Sequence, residues 1–216
     1  MDSILAAEHM WNTAQLPMPM RGLGLEECKE INDKVLAIAK EYVDTFEQRF
    51  VPAGCPVERF PRDRALMGVG MTVSGPAGRG KTTLACAIAT EVALKYRETI
   101  FFTAAPDYLH AVFTRHGHLV PDTERQALQT IYHRTQHAAL LILDDMGSEM
   151  IANSGSAQKE FSRLIRDRFS NSRPTIITSN LGPTGWAESY GASTGSFLQQ
   201  AAPIIAMMGP NLRAGA

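Results

Sequence analysis

The chain has 216 residues, 44% hydrophobic and 20% charged, which is enough for one good-sized globular domain with at most a small appendage. Its formal net charge of −1 excludes a global basic field, so any contact with nucleic acid must come from a local patch or from an assembled ring of subunits. With no apolar run long enough to span a membrane, no signal-peptide pattern and three cysteines outside any metal-binding pattern, the sequence predicts a cytoplasmic protein that contacts no membrane.

The region before the first predicted strand divides into two parts. Residues 1–24 carry two prolines and two glycines in their second half, which predicts a loosely structured N-terminal arm. Residues 25–66 are expected to form a helix from Leu25 to about Phe50 and then a proline-rich loop. The apolar residues that recur on one face of this helix, and that we expect to be buried, are Ile31, Val35, Ile38, Tyr42 and Phe46.

A glycine-rich loop follows, between a predicted strand and a predicted helix, and opens a core expected to span residues 67–180. The β-branched residues at 69–73 predict a buried strand, and Leu84, Ile88 and Val92 recur at helical spacing after the loop. The intervening residues fit the pattern G-x-x-x-x-G-K-[ST] of phosphate-binding loops. The predicted nucleotide-binding residues are Gly75, Pro76, Ala77, Gly78, Arg79, Gly80, Lys81, Thr82 and Thr83.

The residue types of this loop suit the recognition of a nucleoside triphosphate. Glycines allow backbone N–H groups to point at phosphate oxygens, and the N-terminus of the following helix adds a positive partial charge. We expect the Lys81 ammonium to reach the β- and γ-phosphates and the Thr82 hydroxyl to hold Mg²⁺. The flanking strand and helix favour nucleotide binding over a glycine-rich turn without a chemical role.

Two neighbouring aspartates stand at the end of a later predicted strand. Residues 140–143 are consecutive apolar residues, as in a strand buried on both faces of a parallel sheet, and Asp144 and Asp145 follow directly. Ligands of open α/β sheets bind at the carboxyl ends of the strands. We therefore expect Asp144 to hold Mg²⁺ through water and Asp145 to orient or deprotonate the attacking water.

Between these motifs, residues 99–103 predict a further strand, followed by helices at about 106–114 and 122–137. Acidic and basic residues cancel along these helices, so a solvated helix surface is favoured over a DNA-contacting one. The candidates for DNA contact in this region are Phe113, Arg115, Tyr132 and Arg134.

The last part of the chain contains a basic helix, a strand and a weakly charged segment. The helix is predicted at 158–170 and the strand at 174–178, with Asn180 placed to reach the γ-phosphate or its water. Residues 181–216 have only two charged side chains and many apolar ones, so we expect this C-terminal segment to pack on the core or on a neighbouring subunit. The basic residues expected on the outer face of the helix are Lys159, Arg163, Arg166 and Arg168.

Four segments, in this order and spacing, resemble the AAA+ ATPases of the DnaC-like helicase-loader and IstB-like transposition-helper group: GPAGRGKTTLACAIA, LLILDDMGSE, FSRLIRDRF and RPTIITSNL. The resemblance covers about residues 20–213. It implies an α/β fold of the P-loop NTPase class, an AAA+ core with a five-stranded parallel sheet sandwiched by helices and little or no C-terminal lid. It also implies ATP and Mg²⁺ as cofactors, a homo-oligomeric ring or helical filament with ATP between subunits, and work on DNA.

The resemblance also implies roles for single residues. Lys81 and Thr82 would belong to the Walker A motif and Asp144 and Asp145 to the Walker B motif, while Asn180 would be the sensor of the γ-phosphate. The expected catalytic residues are therefore Lys81, Asp145 and Asn180, and the expected metal ligands are Thr82 and Asp144.

Three features depart from the pattern of that group. Asp145 stands where Glu is more common, and its shorter side chain predicts slow hydrolysis. Phe197 occupies the position of an arginine finger, so another arginine must act in trans or turnover is impaired. Only about fifty residues precede the loop region, so either the arm and the leading helix contact a partner helicase or the partner contact lies elsewhere. The candidate trans or sensor arginines are Arg166, Arg168, Arg173 and Arg213.

Within the group we favour a loader of a replicative helicase onto single-stranded DNA, because the helix CKEINDKVLAIAKEYVDTF resembles helicase loaders and is the longer match. The alternative is a transposition helper that binds duplex DNA and a transposase, which the run SNLGPTGWAESYG resembles. A further alternative is an ATP-gated assembly switch with little hydrolysis. A GTPase is disfavoured because no N-K-x-D motif follows, and a small-molecule kinase because such enzymes usually lack the paired acids at the strand end.

Overall fold

A parallel β-sheet forms the centre of the molecule, as seen in a computed structural model that describes residues 2–61, 64–115, 117, 120–147 and 155–212. All neighbouring strands of this sheet run parallel, which confirms the predicted five-stranded architecture for this part of the chain. In spatial order the strands are β2 (Ile100–Ala104), β3 (Leu140–Met146), β4 (Thr175–Ser179), β1 (Met71–Ser74) and β5 (Ile204–Ala206).

Helices cover both faces of the sheet. One apolar cluster joins the first, second and fourth helices to the sheet, and a second cluster joins the fifth, seventh, eighth and ninth helices to the opposite face. Along β3, Leu140 and Ile142 belong to the first cluster, and Leu141 and Leu143 belong to the second. This burial on both faces explains the uninterrupted apolar run of this strand. The helices are α1 (Asp2–Ala14), α2 (Asp33–Asp44), α3 (Phe46–Arg49), α4 (Lys81–Tyr96), α5 (Ala105–Thr114), α6 (Asp122–His137), α7 (Gly155–Ser170), α8 (Pro183–Tyr190) and α9 (Ala192–Ala201).

The N-terminal arm differs from the loose structure that its composition suggested. Its first half is helix α1, and Trp11, Ala14 and Leu16 are buried in the apolar cluster beside α4. The guanidinium of Arg134 donates to the carbonyl of Thr13 and so links the end of α1 to α6. The prolines and glycines of the arm all follow α1, where they form a 3-10 turn and its connections.

The helix predicted from Leu25 to Phe50 is divided into several pieces. A 3-10 turn at Leu25–Glu27 precedes α2, and the Asn32 side chain caps α2 by accepting a hydrogen bond from the Lys34 N–H at 2.9 Å. The burial of Val35, Tyr42 and Phe46 agrees with the prediction, but Ile38 is 42% exposed and Ala39 is buried instead.

The residue pattern did not predict strand β5, although the family resemblance implied a fifth strand. It is only three residues long and pairs with β1 on the side opposite β4. Within the described residues no lid domain follows it, and no helix there is long and apolar enough to cross a membrane.

Candidate nucleotide-binding site

The glycine-rich loop connects β1 to the N-terminus of α4 at the carboxyl edge of the sheet. Gly78 and Gly80 have φ values of 76° and 79°, in the left-handed region that glycine adopts without strain. Gly80 caps α4, whose first residue is Lys81. The positive end of this helix therefore faces the space in front of the loop, where a phosphate group would be stabilised.

The Lys81 side chain brings the loop and the end of β4 together. Its buried Nζ donates to the carbonyl oxygens of Gly75 at 2.8 Å and Pro76 at 2.9 Å, and to Oδ1 of Asn180 at 2.7 Å. The side chains of Lys81 and Asn180, which the sequence placed at two separate motifs, thus lie in direct contact. Both can interact with the same end of a triphosphate.

The two predicted metal ligands are also in contact. The Thr82 hydroxyl donates to Oδ1 of Asp144 at 2.9 Å, and the Thr178 hydroxyl donates to the same oxygen at 2.6 Å. Burial raises the pKa of Asp144, while the hydrogen bonds from Thr178 and Thr82 act in the opposite direction by stabilising the carboxylate. Hydroxyl and carboxylate oxygens are hard donors, so this pair fits Mg²⁺.

Asp145 lies at an irregularity of β3. Leu143 pairs with Ile177 and Met146 pairs with Ser179, so two residues of β3 stand opposite the single residue Thr178, as in a β-bulge. The backbone of Asp145 is left-handed, with φ 60°, and its side chain is exposed at the edge of the sheet. Asp and Asn tolerate this conformation better than longer residues. The bulge therefore gives a physical reason for Asp at this position.

Two serines at strand ends, Ser74 of β1 and Ser179 of β4, were missed by sequence reasoning and hold the strand ends in register. The Ser179 hydroxyl donates to the Met146 carbonyl at 2.6 Å, and the Ser74 hydroxyl donates to the Leu181 carbonyl at 2.6 Å. A hydroxyl residue at a strand end is a common turn signal, so the sequence alone did not distinguish these side chains.

A short segment after β5 packs on the outer side of the glycine-rich loop; we call residues 207–212 the C-terminal strap. The Met207 N–H donates to the Ser74 carbonyl at 2.7 Å, and the Leu212 N–H donates to the Gly78 carbonyl at 2.8 Å. A β-carbon on Gly78 would come within 1.9 Å of Oδ1 of Asn211, so the strap and the loop are closely packed. The neighbouring candidate Arg213 lies outside the described residues.

Arg168, one of the candidate trans arginines, is an interior residue. It is 1% exposed, and burial lowers its pKa to about 9, although the oxygens around it stabilise the charged form. A guanidinium enclosed in this way cannot reach a nucleotide on another subunit, so its placement on the outer face of the helix was wrong. Its hydrogen-bond acceptors are Oγ1 of Thr175 and the carbonyl oxygens of Thr135, Gln136, Ala138 and Pro174.

Arg166 lies nearer the surface, directly beside Phe197. Its guanidinium carbon is 4.3 Å from the centre of the Phe197 ring, and the ring itself packs edge-on against Phe169. Nη2 of Arg166 also donates to Oγ of Ser193 at 3.1 Å. These contacts hold a positive charge beside Phe197, where the family resemblance implied an arginine finger. The side chain of Arg173 is half-buried.

The candidate DNA-contacting residues do not form one patch. The Arg115 guanidinium stacks on the Tyr132 ring at 3.8 Å, and Phe113 is 54% exposed nearby on α5. Arg134 instead contacts the end of α1 and lies 5.9 Å from the Phe101 ring.

Comparison with known protein families identifies the chain. A family model described as IstB-like ATP binding protein matches residues 69–198, more than half of the sequence. The chain belongs to this family. The IstB-like region begins just before β1 and ends within α9, so it contains Lys81, Asp144 and Asn180 with all their contacts described above. The nucleotide of this family is ATP, and the donor set at the loop fits it.

Solved structures show the same fold at low sequence identity. The crystal structure of the DnaC helicase loader aligns with a TM-score of 0.67 at 20% identity, covering 89% of this IstB-like chain and 100% of the other. The crystal structure of DnaI gives 0.61 at 19% identity, covering 93% and 99%. The replication initiator DnaA, bound to AMPPCP and single-stranded DNA, gives 0.63 at 16% identity, covering 90% of this chain and 51% of the other. Among curated proteins, no match is found.

Proposed function

We propose that the protein hydrolyses ATP and uses the reaction to act on DNA in the cytoplasm, as a DnaC-like loader of a replicative helicase. The observation that carries this proposal is the convergence of Lys81, Asp144, Asp145 and Asn180 at one edge of the sheet. Lys81 contacts Asn180, and Thr178 hydrogen-bonds to both the Asp144 side chain and the Asp145 backbone.

Each of these residues has one task in the proposed reaction. Lys81 neutralises the β- and γ-phosphates, and Asn180 holds the γ-phosphate or the attacking water. Thr82 and Asp144 hold Mg²⁺, which supplies charge neutralisation at the transferred phosphoryl group. Asp145, exposed next to this group, orients the water and accepts its proton.

A homo-oligomer with ATP between subunits belongs to the same proposal. Arg166 is the arginine that we assign to act in trans, because it is held by Phe197 and Ser193 and is not enclosed like Arg168. An arginine finger contributes roughly 10³–10⁵ in rate in other nucleotide hydrolases. Whether Arg166 reaches the ATP of the neighbouring subunit therefore decides between an active ATPase and an ATP-gated assembly switch.

ATP turnover by the purified protein tests the ATPase assignment. Lys81→Ala and Asp145→Asn are expected to abolish turnover, and single-stranded DNA is expected to raise the wild-type rate more than duplex DNA does. Tight ATP binding without turnover under any condition would contradict hydrolysis and support the assembly switch.

A mixing experiment tests the trans arginine. Arg166→Ala and Lys81→Ala should each be inactive alone, but a mixture should recover activity, because the Lys81→Ala subunit can supply Arg166 to an intact site on its neighbour. Arg59→Ala, which removes an exposed arginine from the connection before β1, is the control and should keep wild-type turnover. Recovery that is absent while both variants still assemble excludes Arg166 as the trans residue.

The loader and the transposition helper differ in their partners. The DnaC fold and the α2 sequence support the loader, whereas the IstB-like family match supports the helper. A loader predicts preferential binding to single-stranded DNA and to a replicative helicase; a helper predicts filaments on duplex DNA and binding to a transposase. Electron microscopy and DNA-binding measurements with both DNA forms distinguish these outcomes.

The exposed surface around Phe113 and the Arg115–Tyr132 pair is our proposed DNA contact. A ring that stacks on bases and a guanidinium that contacts phosphate suit single-stranded DNA. Phe113→Ala and Arg115→Ala should each weaken binding to single-stranded DNA, while Arg59→Ala should not. Equal losses in Arg115→Ala and Arg59→Ala, with none in Phe113→Ala, would contradict this contact and leave only a non-specific charge effect.

A further inference from the structure

Thr178 stands opposite the β-bulge formed by the two aspartates. Because Leu143 pairs with Ile177 and Met146 with Ser179, Thr178 is the single residue of β4 that faces both Asp144 and Asp145. A bulge leaves a backbone group without its ladder partner. At this bulge a side chain is the hydrogen-bond partner of the Asp145 N–H.

The Thr178 hydroxyl supplies that partner and contacts the neighbouring carboxylate at the same time. It accepts a hydrogen bond from the Asp145 N–H at 2.9 Å and donates its proton to Oδ1 of Asp144 at 2.6 Å. A hydroxyl carries one donor and two acceptor sites, so both bonds form together. The side chain is buried, and Thr is β-branched, which restricts its rotation.

From this geometry we infer that Thr178 is a positioning residue for the two acids, an inference that rests on the proposed ATP hydrolysis. The hydrogen bond that the Thr178 hydroxyl donates to Oδ1 of Asp144 orients this carboxylate toward the Thr82 hydroxyl, which lies 2.9 Å from the same Oδ1. The hydrogen bond that Thr178 accepts from the Asp145 N–H stabilises the left-handed backbone conformation of Asp145. One hydroxyl thus sets both the metal ligand and the residue that orients water.

Two substitutions at this position distinguish the effect of the hydroxyl group from the effect of the side-chain shape. Thr178→Val keeps the branched shape and removes both hydrogen bonds, whereas Thr178→Ser keeps the hydroxyl. Loss of a residue that orients a metal ligand typically costs about 10–100-fold in metal affinity or activity. We expect Thr178→Val to need about 10–100-fold more Mg²⁺ for ATP binding and to lose a similar factor in kcat. Thr178→Ser should remain within a few-fold of wild type in both quantities.

The control is Thr103→Val, which removes a buried hydroxyl from β2, the strand on the other side of β3. The Thr103 hydroxyl has a 3.3 Å hydrogen bond to the carbonyl of Ala104. This variant should keep the wild-type Mg²⁺ dependence. Thr178→Ala is a second variant in case the valine methyl group prevents folding beside the carboxylate.

The measurement is binding of a fluorescent ATP analogue with Mg²⁺ and with EDTA, together with the unfolding temperature and kcat. The expected result is that Thr178→Val binds the analogue like wild type in EDTA but gains little when Mg²⁺ is added. If Mg²⁺ increases analogue binding to Thr178→Val as much as to wild type, and kcat is unchanged, the inference is overturned. If wild type itself shows no Mg²⁺-dependent binding or turnover, the proposed ATPase function fails instead.

Discussion

Among single residues, Asp144 is a proposed Mg²⁺ ligand whose buried charge lowers the stability of the fold. Burial raises its pKa, which means that its ionised form is less stable in the folded chain than in the unfolded one. By linkage, a carboxyl group with a raised folded pKa opposes folding increasingly as the pH rises above its unfolded value. The residue that we assign to Mg²⁺ therefore destabilises the fold at neutral pH.

Asp144→Asn is expected to raise the unfolding temperature at pH 7 in the absence of Mg²⁺. The substitution removes the buried charge and keeps an oxygen that accepts from Thr82 and Thr178. The same variant should lose Mg²⁺-dependent ATP binding. Thermal unfolding at pH 7 and at pH 4 tests the cause, because the raised pKa means that the gain over wild type should shrink as the pH falls and the wild-type carboxyl takes up a proton.

The left-handed backbone of Asp145 leads to a separate prediction. Asp145→Ala should lower the free energy of unfolding by about 1 kcal/mol, because only Gly, Asn and Asp adopt this conformation readily. Asp145→Asn should keep wild-type stability, and both variants should lose ATP turnover. Urea unfolding of the two variants provides the comparison, and equal stability of Ala and Asn would argue against backbone strain at this position.

At the scale of elements, Arg168 joins three parts of the fold. Its guanidinium donates to carbonyl oxygens at the end of α6 and to Pro174 and Thr175 at the start of β4, while its backbone belongs to α7. Removal of a buried cation leaves its oxygen partners without donors. The residue acts as a link between helix ends and the sheet.

Arg168→Met should therefore lower the free energy of unfolding by about 3–5 kcal/mol, as for other broken buried polar pairs. The matched control is Arg163→Met on the same helix, an exposed arginine paired with Glu160, which should change stability by less than about 1 kcal/mol. Urea midpoints measure both. Similar losses for the two variants would show that the buried hydrogen bonds of Arg168 contribute little.

At the scale of the whole molecule, ATP should act as a stabilising ligand. The site is assembled from β1, β3, β4 and α4, so it exists only in the folded chain. A ligand at 100 times its Kd stabilises a protein by about 2.7 kcal/mol, which corresponds to a rise of roughly 5–10 °C in unfolding temperature for a chain of this size. Thermal unfolding with Mg²⁺ and ATP should show this rise for wild type but not for Lys81→Ala.

The sequence predicted those features that depend on local pattern. The glycine-rich loop, the apolar run before Asp144 and the strand before Asn180 are each visible within a few residues, because sheet burial and phosphate binding impose narrow residue choices. The contact between Lys81 and Asn180 agrees with the rule that ligands bind at the carboxyl ends of parallel strands, which the sequence analysis applied to Asp144 and Asp145.

The features that the sequence did not reveal depend on contacts between distant segments. Nothing local distinguishes Thr178 from other strand hydroxyls, because its role arises from a bulge in the neighbouring strand. Arg168 lies in a run of basic residues that looks solvated, and its burial is explained by acceptor oxygens at the end of α6 and at the start of β4. Helix α1 was missed because its buried Trp11 and Ala14 gave too short a pattern.

The position of β1 between β4 and β5 also determines the order in which the chain can assemble. Lys81 and Asn180 are 99 positions apart, and Thr72 donates to the carbonyl of Ala202, 130 positions away. Contacts over such distances form late and slow folding, because long loops must close first. During synthesis, β1 and its glycine-rich loop remain without either neighbouring strand until the segment between β1 and β4 has been made. A nascent chain of this protein thus exposes an unpaired strand, a feature prone to aggregation, while that long segment is being translated.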